Sequence, residues 1–217
     1  MKPIIIIPAY NPPKSFMTLL QNVRNLVSIP IMIVDDGSAP RIVLKDDHAI
    51  LLRNNNNRGK GFSLIRGFNE ALNRGYSHAI TMDADSQHDP NILKSFIEVN
   101  ENISIVLGSR YFNENMPLLR RISNKLTSSV ISFICQEKIL DSQCGYRRYE
   151  LDCVCSEIYN EHGFQFESEV LIKILFNNGS MHFIEVPTIY KQENSSINNF
   201  LDTFKFIRLI LRYLIRV

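Results

Sequence analysis

The sequence has 217 residues, of which 45% are hydrophobic, so it can bury a sizeable core as one large domain or as a domain with an appendage. Its formal net charge is +2, with Lys and Arg scattered except near the C-terminus. This argues against nucleic-acid binding, which requires a concentrated basic face.

Cysteine usage and hydropathy predict a cytoplasmic protein. The cysteines match no zinc-ligand spacing, and free thiols in a reducing cytosol are expected for Cys135, Cys144, Cys153 and Cys155. The apolar run at 1–7 is too short for a signal peptide, and the sequence has no uninterrupted apolar stretch of about 18 residues. No transmembrane helix is therefore predicted.

The first two-thirds of the chain alternates predicted strands with helices. Short apolar, β-branched runs predict strands at 4–7, 31–34, 49–52, about 80–82 and 103–107. Helical spacing follows at 15–26 and at about 59–73, and Asp89 with Pro90 predicts a further helix start. The alternation indicates an α/β fold with a mostly parallel sheet, in which ligands bind outside the carboxyl ends of the strands.

The last third predicts four helices and one strand. The helices are expected at 118–135, 149–159, 166–176 and 198–217, and the strand at 181–186.

Two carboxylates, Asp83 and Asp85, follow the fourth predicted strand at alternate positions. Carboxylate oxygens are preferred ligands of Mg²⁺ and Mn²⁺, and two of them leave most of an octahedral shell for water and substrate phosphates. The pair therefore suits a metal bound to a diphosphate. The alternative is a solvated strand end, because this spacing is common by chance.

Three other strand ends carry groups suited to a nucleotide diphosphate. The first strand is followed by Pro8, Ala9, Tyr10 and Asn11. Their exposed backbone and the Tyr10 ring could line a base or ribose. Asp36 could accept a hydrogen bond from a nucleobase or ribose, and Gly59 with Lys60 at a helix start could bind phosphate. The alternatives are a rigid strand exit, an ordinary Asp-Gly-Ser turn and a plain helix entry.

Six motifs together carry a family resemblance. They are Pro8-Ala9-Tyr10-Asn11, Val34-Asp35-Asp36-Gly37-Ser38, Asn57-x-Gly59-x-Gly61, Asp83-x-Asp85-x-Gln87-His88-x-Pro90, Gly108-Ser109-Arg110 and Gln143-Cys144-Gly145-Tyr146-Arg147. In this order and spacing, over roughly residues 3–190, the chain resembles family 2 glycosyltransferases. It looks most like their dolichyl-phosphate and polyprenyl-phosphate sugar synthase branch.

The resemblance implies a GT-A fold and an inverting transfer of one sugar from a UDP- or GDP-sugar, assisted by Mg²⁺ or Mn²⁺. At matching positions it implies that Asp36 contacts the base, Asp83 the donor's ribose or the metal, and Asp85 the metal. It adds Gln87 as a further metal ligand.

The acceptor is expected to be bound by arginines. In the resembled synthases, an arginine after the Gly-Ser-Arg turn and the arginine of the Gly-x-Arg turn bind the acceptor phosphate, matching Arg121 or Arg120 and Arg147. A bidentate guanidinium suits a polyprenyl phosphate, which is already ionised and needs no general base. For Arg120 and Arg121 the alternative is an exposed helix end.

A sugar hydroxyl acceptor would need a base, and Asp141 is the candidate. Its alternative role is to hold the loop or to orient an arginine. A family 2 enzyme acting on a sugar hydroxyl in cell-surface polysaccharide or lipopolysaccharide assembly is therefore the second expectation. The sequence has no Trp, so the Gln-x-x-Arg-Trp signature of processive synthases is absent, and Cys144 replaces a residue that is often a small hydroxyl in the synthases.

The C-terminal helix forms its own predicted unit at 191–217, after a catalytic domain at 1–190. A basic stripe on an otherwise apolar cylinder is formed by Lys205, Arg208, Arg212 and Arg216. This pattern favours peripheral contact with the inner face of the membrane, and its alternative is packing against the domain or a second subunit.

Other nucleotide-binding classes fit less well. A nucleotidyltransferase should show a Gly-rich loop with a basic residue after the first strand, a dehydrogenase Gly-x-Gly-x-x-Gly, and a kinase a P-loop. The segment 8–13 has none of these. An inactive nucleotide-sugar-binding module is a further alternative, although both aspartates are intact.

Overall fold

A computed structural model describes residues 1–44, 49–111, 116, 118–189 and 199–214. Its strands form one seven-stranded sheet. Their bounds are β1 Pro3–Ala9, β2 Ile31–Asp35, β3 Ala49–Arg53, β4 His78–Thr81, β5 Ile105–Arg110, β6 Arg147–Glu150 and β7 Met181–Val186. The spatial order is β3-β2-β1-β4-β6-β5-β7, with β6 antiparallel to both neighbours and the other described pairs parallel.

Helices cover both faces of the sheet. Their bounds are α1 Phe16–Leu26, α2 Lys60–Asn73, α3 Leu93–Glu98, α4 Leu118–Cys135, α5 Leu151–Cys155, α6 Phe166–Phe176 and α7 Asn199–Leu214. A 3-10 turn, Pro90–Ile92, precedes α3, and the Asp89 carboxylate caps it by accepting from the Asn91 N–H at 3.0 Å. This confirms the predicted helix start.

The isoleucines of β1 contribute to two hydrophobic clusters, one on each face of the sheet. Ile4 and Ile6 belong to the cluster on the side of α2, α4 and α6, whereas Ile5 and Ile7 belong to the cluster on the side of α1 and α3. All four side chains are fully buried. The strand is therefore buried on both faces, as a continuous β-branched run in a parallel sheet predicts.

Two predicted elements have the wrong bounds. The helix predicted at 149–159 is limited to the short α5, and its first two residues belong to β6. Tyr149 pairs with Ala79 on one side and Ile105 on the other, so sheet hydrogen bonding overrides the local helical pattern there. The strand predicted at 103–107 runs to Arg110, because β7 continues pairing there, and Gly108-Ser109-Arg110 is strand instead of turn.

Helix α7 packs on the domain through Leu209, Ile210 and Tyr213, all of which are buried. Its basic residues do not form a free stripe. Arg208 and Arg212 lie 3.3 and 3.4 Å from Glu161, so they face the domain. Residue 216 lies outside the described residues. Among the helices described, none combines the length and apolar character needed to cross a membrane.

Candidate active site

Three charged side chains meet where β4 and α2 come together. Lys60 opens α2, and its Nζ lies 2.5 Å from Asp83 Oδ1 and 3.1 Å from Glu167 Oε1 of α6. Burial alone would raise the pKa of Asp83, but the charge and the hydrogen bond of Lys60, together with the other neighbouring charges, lower that pKa to about 2. Asp83 is therefore a carboxylate at any physiological pH, and it already holds a cation.

Gly145 leaves the space in which these charges meet. A Cβ at Gly145 would lie 2.8 Å from both Glu167 Oε1 and Lys60 Nζ, and 3.0 Å from Asp83 Oδ2. Thr81 Oγ1 fixes this glycine by donating to its carbonyl at 2.8 Å. The glycine of the Gln143–Arg147 motif is thus needed for the close approach of the three charges.

His88 positions the backbone at the start of the Asp83 turn. Its Nδ1 accepts a hydrogen bond from the Asp83 N–H at 3.1 Å, and its ring stacks on Tyr146 with centroids 4.9 Å apart. Burial lowers the pKa of His88 to about 4, so the imidazole is neutral near pH 7. An acceptor nitrogen in a fixed ring suits a loop-orienting role.

Asp85 and Gln87 complete the turn after β4. Asp85 Oδ1 accepts from the Gln87 N–H at 2.9 Å, across Ser86, which has a φ of 61°. The described residues contain no group of three or more His, Cys, Asp or Glu arranged for a metal. The donor set of two carboxylates and an amide oxygen still fits Mg²⁺ or Mn²⁺, because such ions keep several waters and bind substrate phosphates.

Asp36 organises the turn that leads into α2. Its carboxylate accepts from Asn54 Nδ2 at 2.6 Å and from the N–H groups of Arg58 and Gly59 at 3.0 and 2.8 Å. Gly59 has a φ of +98°, and a Cβ there would lie 2.5 Å from the His162 carbonyl oxygen. In the structure Asp36 therefore holds the turn that leads into α2, and its predicted contact with the base stays a prediction.

The turn after β1 is fixed by Asn11. Its N–H donates to Ser38 Oγ at 2.9 Å, and its Oδ1 accepts from the Ala39 N–H at 2.8 Å. Tyr10 is about half exposed, whereas Ala9 is buried in the strand. In the segment Pro8 to Asn11, the Tyr10 ring is thus an exposed aromatic side chain that is open to a ligand.

Arg110, at the carboxyl end of β5, forms an ion pair with Asp141. Its Nε lies 2.7 Å from Oδ2 and its Nη2 3.0 Å from Oδ1. The buried carboxylate also accepts from Asn124 Nδ2 and from the Gln143 and Cys144 N–H groups. Burial would raise the pKa of Asp141, but Arg110 and these donors lower it. The geometry is that of the orienting alternative, not of a base.

Arg147 does not face the cleft described below. It is fully buried, and its guanidinium donates to the carbonyls of Cys144, Glu167 and Ser142, each at 2.7 Å. Near the start of α4, Arg120 is exposed and Arg121 is half-buried. The guanidinium of Arg147, one of the three predicted acceptor arginines, is therefore engaged by carbonyl groups inside the protein.

One cleft gathers several of these groups. It encloses about 460 Å³, including space open to solvent, and its lining includes Asp83, Gln87, His88, Arg110 and Gln143. Asp85 is not among its lining residues. Sequence reasoning missed Arg110 as a cleft residue, although its place as the last residue of the Gly-Ser-Arg motif, at a strand end, was a usable signal.

The chain is similar to known glycosyltransferases. Residues 4–161 match the family described as Glycosyl transferase family 2. A UDP-N-acetylglucosamine–dolichyl-phosphate N-acetylglucosaminyltransferase of Methanococcus voltae is 29% identical, with 95% of this chain and 94% of that protein covered. A polyprenol monophosphomannose synthase of Mycolicibacterium smegmatis is 26% identical, with 90% and 79% covered.

The fold also matches a solved enzyme. Glucosyl-3-phosphoglycerate synthase of Mycobacterium tuberculosis, crystallised with UDP, superposes with a TM-score of 0.75 at 14% identity, covering 98% of this chain and 79% of that one. A crystal of the same enzyme with Mn²⁺, UDP and glucosyl-3-phosphoglycerate gives a TM-score of 0.69. The fold is GT-A, and the chain belongs to glycosyl transferase family 2, on the branch of the dolichyl-phosphate and polyprenyl-phosphate sugar synthases.

Proposed function

We propose that this glycosyltransferase moves one sugar from a UDP- or GDP-sugar to a polyprenyl phosphate, with inversion at the anomeric carbon. The observation that carries the proposal is the cleft shared by Asp83 and Arg110, which offers an ionised carboxylate and a guanidinium to one bound pair of substrates. The two named relatives, a dolichyl-phosphate transferase and a polyprenol monophosphomannose synthase, support a lipid-phosphate acceptor.

On the donor side, Asp83, Asp85 and Gln87 would hold Mg²⁺ or Mn²⁺. When bound, such an ion supplies positive charge to the departing diphosphate. The N–H groups at the start of α2 add a favourable dipole for phosphate, and Asp36 keeps that turn in place through its bonds to Arg58 and Gly59. The exposed Tyr10 ring is available to the base.

On the acceptor side, Arg110 is the cation of the cleft. Asp141 holds two of its guanidinium nitrogens, which fixes the plane of the group. A phosphate that is already ionised can attack the anomeric carbon without a base, so the protein mainly orients the reactants. We assign Arg147 a positioning role, because it holds the loop that carries Gly145.

The second expectation, a sugar hydroxyl acceptor, requires a base. Asp141 is a poor one in this arrangement, since its oxygens accept several hydrogen bonds and its pKa is lowered. This favours the phosphate acceptor.

Peripheral membrane contact is part of the proposal. We define the apolar face as the exposed apolar side chains of two neighbouring helices, Leu118, Ile122, Leu126 and Phe133 of α4 and Leu201, Phe204, Ile207, Leu211 and Leu214 of α7. Lys205 on α7 is about half exposed and can reach anionic head groups. An amphipathic surface of this kind would hold the enzyme on the membrane that contains a lipid acceptor.

The test is transfer of radiolabelled sugar from each UDP- or GDP-sugar to a short polyprenyl phosphate with Mn²⁺ or Mg²⁺. We expect label in the organic extract with one donor, and a loss of about a hundredfold or more in Asp85→Ala. Asp152→Asn, which removes an exposed carboxylate from α5, is the control and should keep its activity. Label that enters only water-soluble glycans would overturn the acceptor assignment, and full metal-dependent activity in Asp85→Ala would overturn the metal site.

A further inference from the structure

We infer that Lys60 occupies Asp83 in the free protein and leaves it when metal and nucleotide bind, and that Glu167 is the positioning residue that keeps Lys60 in the site. The inference rests on the proposed function, because it takes Asp83 as a metal ligand. It concerns the order in which the site accepts its ligands.

The contacts give Lys60 two partners. Its Nζ lies 2.5 Å from Asp83 Oδ1 and 3.1 Å from Glu167 Oε1, with Lys60 17% exposed and Glu167 7% exposed. An ammonium is a compact charge with three donors on a flexible stem. The Lys60 ammonium can therefore break its contact with Asp83 and remain bound to Glu167.

A second cation cannot join Lys60 on Asp83 without a cost. Two positive charges on one carboxylate repel each other strongly in a partly buried site. Glu167 is too deeply buried to remain without a counter-charge, so it holds Lys60 nearby. The missing side chain at Gly145 leaves the space in which Lys60 contacts both carboxylates, because a Cβ there would lie within about 3 Å of all three groups.

The consequence is synergy between metal and nucleotide. A metal ion alone has to compete with the charge of Lys60 at Asp83, and a lysine displaced from that carboxylate keeps Glu167 as its anionic partner. A nucleoside diphosphate supplies new anionic oxygens for the displaced ammonium. Each ligand should therefore strengthen the binding of the other by the same factor.

The test measures Mn²⁺ binding from the electron paramagnetic resonance signal of the free ion, with and without UDP or GDP. For Mn²⁺ alone, we expect Lys60→Met to bind about tenfold or more tightly than wild type, because the competing charge-assisted contact is lost. The same variant should bind nucleotide less tightly in the presence of Mn²⁺. Glu167→Gln should bind Mn²⁺ alone more weakly, because Lys60 then has Asp83 as its remaining carboxylate.

Arg58→Met is the matched control. It removes a cation from the same turn, but this guanidinium lies over the Phe62 ring, 4.1 Å from its centroid. We expect its Mn²⁺ affinity to stay within about twofold of wild type, which separates displacement from a general charge effect.

The outcomes are distinguishable. If Lys60→Met binds Mn²⁺ alone no more tightly than wild type, while wild type binds Mn²⁺ with nucleotide, the inference is overturned and the proposed metal site stands. If neither wild type nor Lys60→Met binds Mn²⁺ even with nucleotide, the metal site and the inference both fail. Melting curves of each variant verify that the compared proteins are folded.

Discussion

Arg110 and Asp141 form a two-point ion pair at the carboxyl end of β5, with nitrogen–oxygen distances of 2.7 and 3.0 Å. The carboxylate is fully buried, whereas Arg110 lines the cleft. Arg110 therefore faces the cleft, and Asp141 fixes the direction of its guanidinium. This division of roles can be separated from base catalysis by experiment.

Asp141→Asn should lower kcat/KM for the polyprenyl phosphate by about tenfold to a hundredfold, because a charge-assisted contact to Arg110 is lost. The pH–rate profile should keep the shape of the wild-type profile, because the Asp141 carboxylate does not remove a proton from the acceptor. Steady-state kinetics at varied acceptor concentration and pH provide both readouts. Loss of the acidic limb of the profile would instead identify Asp141 as a base.

Arg147→Lys should destabilise the protein rather than weaken acceptor binding alone. Lysine cannot reproduce the three-way contact of the guanidinium with the Cys144, Glu167 and Ser142 carbonyls, so buried acceptors lose partners. We expect a loss of about 2–4 kcal/mol in the free energy of unfolding, measured by urea denaturation. Arg120→Lys, at an exposed position, is the control and should change stability little.

The opposite result is equally specific. Unchanged stability of Arg147→Lys, together with a raised KM for the acceptor phosphate, would restore Arg147 to the acceptor site.

The sequence predicts well what depends on local pattern. The isoleucines of β1 indicate a strand buried on both faces, and Asp83 after β4 falls at the end of a parallel strand, where ligands bind. Predicting these features requires only a hydrophobic run followed by a polar turn. The two patterns lie within a few residues of each other in the sequence.

The sequence predicts poorly what depends on distant partners. Arg147 and Arg148 are charged, and arginines are mostly exposed, so a central strand was not expected at β6. Arg148 is buried because the carbonyls of Phe96, Val99 and Asn100 accept its hydrogen bonds. The contact of Lys60 with Glu167 likewise joins residues far apart in the chain, which no local pattern reveals.

The apolar face should bind membranes. We expect the double variant Phe204→Ser, Leu211→Ser to lose about tenfold or more of its affinity for vesicles containing phosphatidylglycerol, because two exposed apolar side chains no longer enter the interface. Vesicle flotation with the purified proteins measures this.

The control for the apolar face is Val43→Ser. Val43 is more exposed than Phe204, but its neighbours Ile42 and Leu44 pack on the side of α1 and α3, away from α7. Its vesicle affinity should match that of wild type. Equal losses in the control and the double variant would show that binding does not depend on this face.

His88 should make the folded protein sensitive to acid. Its pKa is lowered from 6.5 to about 4 by burial, so the unfolded chain binds a proton more readily than the folded one between these values. Stability is therefore fully present above pH 6.5 and is lost as the pH falls toward 4. The loss from this one group is on the order of 3 kcal/mol.

The measurement is urea denaturation of wild type and His88→Asn between pH 7 and pH 4. An asparagine oxygen can accept from the Asp83 N–H in place of Nδ1, but it does not titrate in this range. We expect the stability of wild type to fall more steeply with acid than that of His88→Asn. His182→Asn, which removes an exposed ring from β7, controls for the loss of a histidine and should keep the steep slope. Parallel slopes in wild type and His88→Asn would mean that the His88 ring is not the acid-sensitive group. The interpretation of His88 as a neutral imidazole fixed beside Asp83 would then be wrong.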